Sequence, residues 1–356
     1  MKHVLLLHMD GKVPNLALMK LAAFHRAQGD RVELRRISVT WWDDDSLAKA
    51  MENLEPYFGD PAWDLVYGSL IFSWSRVLAE RARVIYPQIQ LGGTGWDFAS
   101  DGTQLQRTDL PPEAAAMAPD YSDYRSPSET YSLGFTQRGC RLSCGFCVVP
   151  RKEGGIKMAS TLAEIWRGDP WPRHIMLLDN DFFGGPRWKE IVAEAIAGGF
   201  KISLIQGINA RLLNEETAAA LASMKMRDDS FSRTRIYTAW DGRKDEKRLF
   251  RGLEALKRHG IAPDSVLVYM LVGHEPGETH ADRDYRRAKL RAFGARPYPM
   301  PFVRDGELGE ELRAFSRFCV QRVDLHKTWE EFWGKAHGNP RKLGDRRVSL
   351  PLFEDE

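Results

Sequence analysis

HVLLLHMDGKVPNLALMKLAAFHRAQGDRVELRRISV, residues 3–39, decides the fold class. Residues 3–9 are a short apolar run. Leu16, Met19, Ala23 and Ala27 then fall near one face of a helix over 15–29 closed by Gly29, and 30–39 alternates as a half-buried strand does. The pattern continues with a strand over 64–72, a helix over 75–87 and a strand over 88–93 that ends in glycines. That order predicts a parallel sheet flanked by helices, with any ligand at the carboxyl ends of its strands.

A second series begins near Tyr131. Strands are predicted over 131–137, 174–181, 201–208, 235–241, 265–273 and around 297–302, with helices over 160–167, 186–198, 214–224, 244–259 and 280–293. Six strands alternating with helices suit a partial (β/α)6 barrel, whose chemistry again sits at the strand carboxyl ends. The chain therefore reads as α/β: a Rossmann-like domain over 1–96, a linker rich in Asp, Ser and Pro over 97–130, a partial barrel over 131–302, a short helical extension over 303–337, and a flexible tail over 338–356.

Composition bounds the function. Among 356 residues, 43% are hydrophobic and 11 are Trp, as expected of a folded globular chain. A net charge of +2 points by itself to neither a nucleic acid nor a membrane. No apolar run approaches the ~18 residues of a spanning helix, and the first residues lack a signal-peptide pattern, so a cytoplasmic protein without a membrane partner is expected. The stretch 281–296 carries six basic and two acidic residues. It reads either as the solvated face of a barrel helix or as a surface for phosphate.

Three of the four cysteines fall within GFTQRGCRLSCGFCVVP (134–150), as Cys140, Cys144 and Cys147 in C-x3-C-x2-C spacing directly after a predicted strand. That is no disulfide framework; three soft thiolates on one short loop suit one face of an iron–sulfur cluster. A closed zinc site needs a fourth ligand, and no further Cys or His lies nearby in sequence. Cys319 reads as a buried thiol.

This segment resembles the cluster loop of the radical SAM superfamily, and Phe146 matches the aromatic residue of that motif. The resemblance extends over about residues 131–302. It implies a [4Fe–4S] cluster held by Cys140, Cys144 and Cys147, with S-adenosylmethionine (SAM) on the open iron. It also implies reductive cleavage of SAM to a 5′-deoxyadenosyl radical that abstracts hydrogen from a substrate, with the cofactor carrying the hard chemistry. An electron donor of flavodoxin or ferredoxin type is implied as partner. The substrate is left open among small molecule, peptide and nucleic acid.

The resemblance also directs attention to the strand ends as a SAM pocket. Asp179, Asn180 and Asp181 stand where many members carry Gly-Gly-Glu; the alternative is that the aspartates cap the following helix. Gln206, Asn209 and Arg211 in QGINARLL follow the third strand, with a surface ion pair as the plainer reading of Arg211. Asp241 closes the fourth strand, as a ligand or as a turn-forming Asp-Gly. Gly273 ends the fifth, open to adenine or simply terminating the strand. His274 and Tyr269 are candidates to face the substrate and move a proton, with Trp240 and Tyr298 beside them. Met300 is expected in the core or the pocket wall.

Residues 3–95 resemble the cobalamin-binding domain that often precedes such barrels, without its Asp-x-His-x-x-Gly motif. A cobalamin would sit near residues 9–15, 69–73 and 92–95. Two further readings stand beside the main one: a cobalamin-dependent radical SAM methyltransferase, and a non-catalytic iron–sulfur or zinc-binding module.

Overall fold

A computed structural model describes residues 1–37, 44–124, 130–303 and 306–337. The expected tail over 338–356 and the end of the expected strand over 30–39 lie outside them. The chain divides into two compact units. Of the described residues, 1–124 and 144–152 belong to the first, and 130–143, 153–303 and 306–337 to the second.

In the first unit, strands β1 (His3–His8), β2 (Arg31–Arg36), β3 (Leu65–Ser69) and β4 (Gln90–Gly92) form one parallel sheet in the order β2-β1-β3-β4. The run at 3–9 lacks polar alternation because β1 is central and covered on both faces. Val4 and Leu6 pack against Leu18, Leu21 and Ala22 of the helix Leu16–Ala27, while Leu5 and Leu7 join Leu78, Ala79 and Ala82 of the helix Arg76–Ile85 on the opposite face. Asn15 caps the first of these helices, its Oδ1 accepting from the backbone of Ala17 and Leu18. Residues 97–124, read in the sequence as linker, fold back on this unit. Ala114 is buried beside Leu18 and Ala22, and Asp120 N donates to Met19 O at 3.1 Å.

The second unit begins with β5 (Ser132–Gly134). A short antiparallel pair follows, β6 (Gln137–Arg138) with β7 (Lys157–Met158). Strands β8 (His174–Leu177), β9 (Lys201–Leu204) and β10 (Lys225–Met226) join β5 in a parallel sheet ordered β10-β9-β8-β5. A second parallel sheet holds β11 (Ile236–Ala239), β12 (Val266–Val272) and β13 (Arg296–Pro301) in chain order. One parallel bridge, Ile208 to Thr238, links the segment after β9 to β11. The strands expected in this unit are thus present and parallel, arranged as two sheets rather than one continuous wall.

Alternate residues of these strands, such as Ile175, Leu177, Ile202, Leu204, Val268 and Met270, build one core with Leu249, Leu253 and Leu256 of the helix Glu246–Arg258 and Leu290 of the helix His280–Phe293. Cys319 of the helix Gly306–Val320 is buried in that core, as expected, and burial pushes its thiol pKa up. Among the described residues no helix is long and apolar enough to cross a membrane.

Candidate functional site

The cysteine-bearing loop springs from the carboxyl end of β5, and its base is closed by the β6–β7 pairing of Gln137 with Met158 and Arg138 with Lys157. Cys140 N donates to Gly154 O at 3.1 Å, and Cys147 N to Cys144 O at 3.0 Å. Gly139 makes the crossing with a φ of 82°. Any Cβ there would lie 2.4 Å from Gly155 O, so both conformation and space require glycine. Cys140 belongs to the second unit, and Cys144 and Cys147 to the 144–152 segment of the first. All three thiols and Phe146 are half-buried. Among the described residues, no group of three or more His, Cys, Asp or Glu side chains is arranged to hold a metal ion.

Asp179, Asn180 and Asp181 do lie at the carboxyl end of β8. The register of β5 on β8 pairs Ser132 with Ile175 and Gly134 with Leu177. Continued two residues beyond the ladder, it brings Thr136 to Asp179. Thr136 N donates to Asp179 Oδ1 at 2.8 Å, and the Thr136 hydroxyl donates to Oδ2. Burial pushes the Asp179 carboxyl up to about 7, against the opposing pull of these donors. Gln137 Nε2 donates to Asp181 O at 2.5 Å and to Phe182 O at 3.2 Å. Arg141 Nε reaches Asp181 Oδ2 at 2.9 Å, and Asp181 Oδ1 is buried without a hydrogen-bond partner. Asp181 carries no side-chain cap for the short helical turn that follows it.

A second group gathers at the carboxyl ends of β9, β11 and β12. Asn209 Oδ1 accepts from Arg211 N at 3.0 Å, and Asn209 Nδ2 is buried with no partner. The Arg211 guanidinium approaches Asp245 through two contacts of 3.4 Å, long for a bidentate pair and so able to tighten on another carboxylate. Burial pushes the Asp241 carboxyl up to about 6; Arg286 and Arg211 pull it down and Asp245 pushes it up. Gly273 N donates to Glu278 Oε2. Gln206 is exposed, and Gly273 is half-buried.

Of the residues expected to face a substrate, Tyr269 is buried with its hydroxyl donated to Ile205 O at 2.8 Å, and burial raises its pKa well above the usual phenol value. Its ring stacks on Tyr237, with centroids 5.8 Å apart, and meets Tyr298 edge-on at 5.6 Å. His274 is half-buried, edge-on to Phe302 at 4.7 Å. Trp240 turns the other way: it is fully buried in the core beneath the helices, and its Nε1 donates to Gly242 O at 3.0 Å. Strand alternation is the reason, since Ile236, Thr238 and Trp240 share the face opposite Tyr237 and Ala239. Met300 is exposed rather than walled in.

The basic stretch 281–296 offers little free charge. Arg283 and Arg286 are buried against Glu278, with Arg283 also on Glu311; Arg287 and Arg291 share Asp324, and Lys289 pairs with Glu246.

In the first unit, the three turns expected to receive cobalamin are closed on one another. Both Asp10 carboxylate oxygens accept from the chain after β3, from Ile71 N at 2.7 Å and Phe72 N at 3.0 Å. Gly93, with φ of 100°, leaves only 2.3 Å between a would-be Cβ and Leu70 O, and Gly95 packs as tightly on Phe72. Tyr124 seals the edge: its hydroxyl accepts from Asn15 N at 3.0 Å and lies 3.1 Å from His8 Nδ1, with the Arg36 guanidinium over its ring. His8 Nε2 is buried without a partner, and burial lowers the imidazole pKa to about 3, so the ring is neutral.

Sequence reading missed Thr136, Gln137, Glu153, Asp245 and Glu278, all engaged at strand ends. Only the placement of Thr136 and Gln137 between a strand and the first cysteine could have signalled the first two. Compared with known proteins, the chain matches no family model, no curated protein and no solved structure.

Proposed function

We propose that the chain is a radical SAM enzyme. The observation that carries the reading is the C-x3-C-x2-C loop leaving the carboxyl end of β5, the first strand of two parallel sheets, β10-β9-β8-β5 and β11-β12-β13, whose longer strands alternate with helices along the chain. With the two-residue β10 set aside at the edge beside β9, the order β5-β8-β9 and then β11-β12-β13 across the Ile208–Thr238 bridge supports an open six-stranded β/α barrel with its ligands at the strand carboxyl ends.

The donor set fits an iron–sulfur cluster in kind: Cys140, Cys144 and Cys147 would supply thiolates to three irons of a [4Fe–4S] cluster. When bound, such a cluster supplies the electron that cleaves SAM to a 5′-deoxyadenosyl radical, which takes hydrogen from the substrate. The chain's own part is to bind, orient and enclose. The Asn209 amide brings an unengaged buried donor to the end of β9. Asp241, with its pKa near 6, is largely ionised at neutral pH and can accept from an ammonium or a ribose hydroxyl. Arg211 can exchange its long contacts with Asp245 for a ligand carboxylate. The buried Tyr237 and Tyr269 rings and the half-buried Tyr298 pack together on that side of β11, β12 and β13. The turns after β1, β3 and β4 are held to one another by Asp10 and by close packing at Gly93 and Gly95, and methyl transfer through cobalamin does not enter this reading.

The test is anaerobic reconstitution with iron and sulfide, followed by SAM and dithionite, with products identified by mass spectrometry. About four irons per chain and formation of 5′-deoxyadenosine are expected, and both should be lost in Cys144→Ala. A colourless protein with one zinc per chain would make it a binding module instead. SAM cleavage surviving in Cys144→Ala would overturn the assignment.

A further inference from the structure

We infer that Asp179-Asn180-Asp181 acts by positioning the loop that carries Cys140, rather than by binding SAM; the inference rests on the radical SAM reading above. Each of the three residues grips the loop at a different point. Asp179 accepts from both the amide and the hydroxyl of Thr136. Asp181 holds Arg141, the residue after Cys140, through its carboxylate and Gln137 through its carbonyl. Asn180 Nδ2 lies 3.4 Å from Glu153 Oε2, and that carboxylate accepts from Gly139 N at 2.8 Å and pairs with Arg138 at 2.6 Å. Residues 136–139 before Cys140 and Arg141 after it are thus tied directly or through Glu153 to one tripeptide.

The chemistry argues against SAM as the occupant of Asp179. A carboxylate that receives an ammonium group must be open to it, and Asp179 is 3% exposed, with each of its oxygens turned to Thr136. Its partner, moreover, follows from the strand register itself, which continued two residues beyond the ladder places Thr136 opposite Asp179. Groups that orient metal ligands from behind commonly change metal affinity by about tenfold or more when altered. Asp179, Asn180 and Asp181 are positioning residues of that kind.

The full chain is reconstituted anaerobically as wild type, Thr136→Val, Thr136→Ser and Asp179→Asn. Iron retained against a chelator and the low-temperature electron paramagnetic resonance spectrum of the reduced protein are read before SAM is added and again after it. Thr136→Val and Asp179→Asn should release iron about tenfold more readily and show altered spectra already without SAM, while Thr136→Ser behaves as wild type. Circular dichroism and thermal melting show whether each variant has folded. If Asp179→Asn does not fold, the near-isosteric Thr136→Val carries the comparison. Wild-type iron retention and spectra without SAM in both variants, with only the SAM-induced change lost, would overturn the inference and make Asp179 a SAM ligand. A wild type that takes up no iron overturns the functional reading as well, and is told apart because the failure then appears before any substitution.

Discussion

At the scale of single residues, Phe231 shows what local patterns leave unsaid. It is a buried, non-glycine residue with φ of 60°, a left-handed conformation held by the Asp228 loop, in which Phe231 N donates to Asp228 O and Asp228 Oδ1 accepts from Ser232 N and Arg233 N. The return for that strain is a ring stacked on His174, with centroids 4.7 Å apart and planes at 5°, and lying 5.7 Å from the ring of Tyr131. Phe231→Ala should therefore destabilise the protein by about 3 kcal/mol, read as a lower urea midpoint. A loss below about 1 kcal/mol would mean that this ring closes nothing. The cysteine triad stands at the opposite extreme: its spacing within eight residues is legible because one loop carries it whole.

At the scale of elements, the helix His280–Phe293 is the instructive case. Thr279 and Asp282 form a capping box at its start, and Gly294 closes it in the left-handed conformation, all readable from sequence. The fate of its cations was not. Arg286 donates to Trp240 O at 3.0 Å and Leu271 O at 2.9 Å and pairs with Glu278, whose other oxygen holds Gly273 N. The helix is thereby bolted to the ends of β11 and β12, beside Asp241. Glu278→Gln removes the buried counter-charge of Arg286 and should cost about 3 kcal/mol in urea unfolding. The same change at the half-buried Glu246, whose partner Lys289 is exposed, should cost under about 1 kcal/mol.

At the scale of the whole molecule, acids drawn partly or wholly out of water make stability depend on pH with a definite sign. Asp179 and Asp241 rise from an ordinary 3.8 to about 7 and about 6, so the folded chain holds protons that the unfolded chain releases between about pH 4 and those values. Their contribution is fully present below the unfolded pKa and is lost as pH rises through the folded one. His8, lowered to about 3, acts oppositely: the unfolded chain binds its proton more readily, and stability rises with pH up to about 6.5. Comparing wild type with Asp179→Asn isolates one group. Wild-type stability relative to the variant should fall from about pH 5 to about pH 7, by at most ~1.4 kcal/mol per pH unit. A constant difference across that range would show that Asp179 titrates normally. The sequence alone determined the α/β class, the alternation of the longer parallel strands with helices and the cysteine spacing, because apolar period, glycine and capping residues act within a dozen positions. Tertiary structure alone decided that Asp179 serves Thr136, that Trp240 faces the helices and that the turns after β1, β3 and β4 close on themselves. Those pairings join residues from about 40 to more than 100 positions apart through strand register and loop closure, and no local pattern encodes which of two polar neighbours a buried side chain will meet.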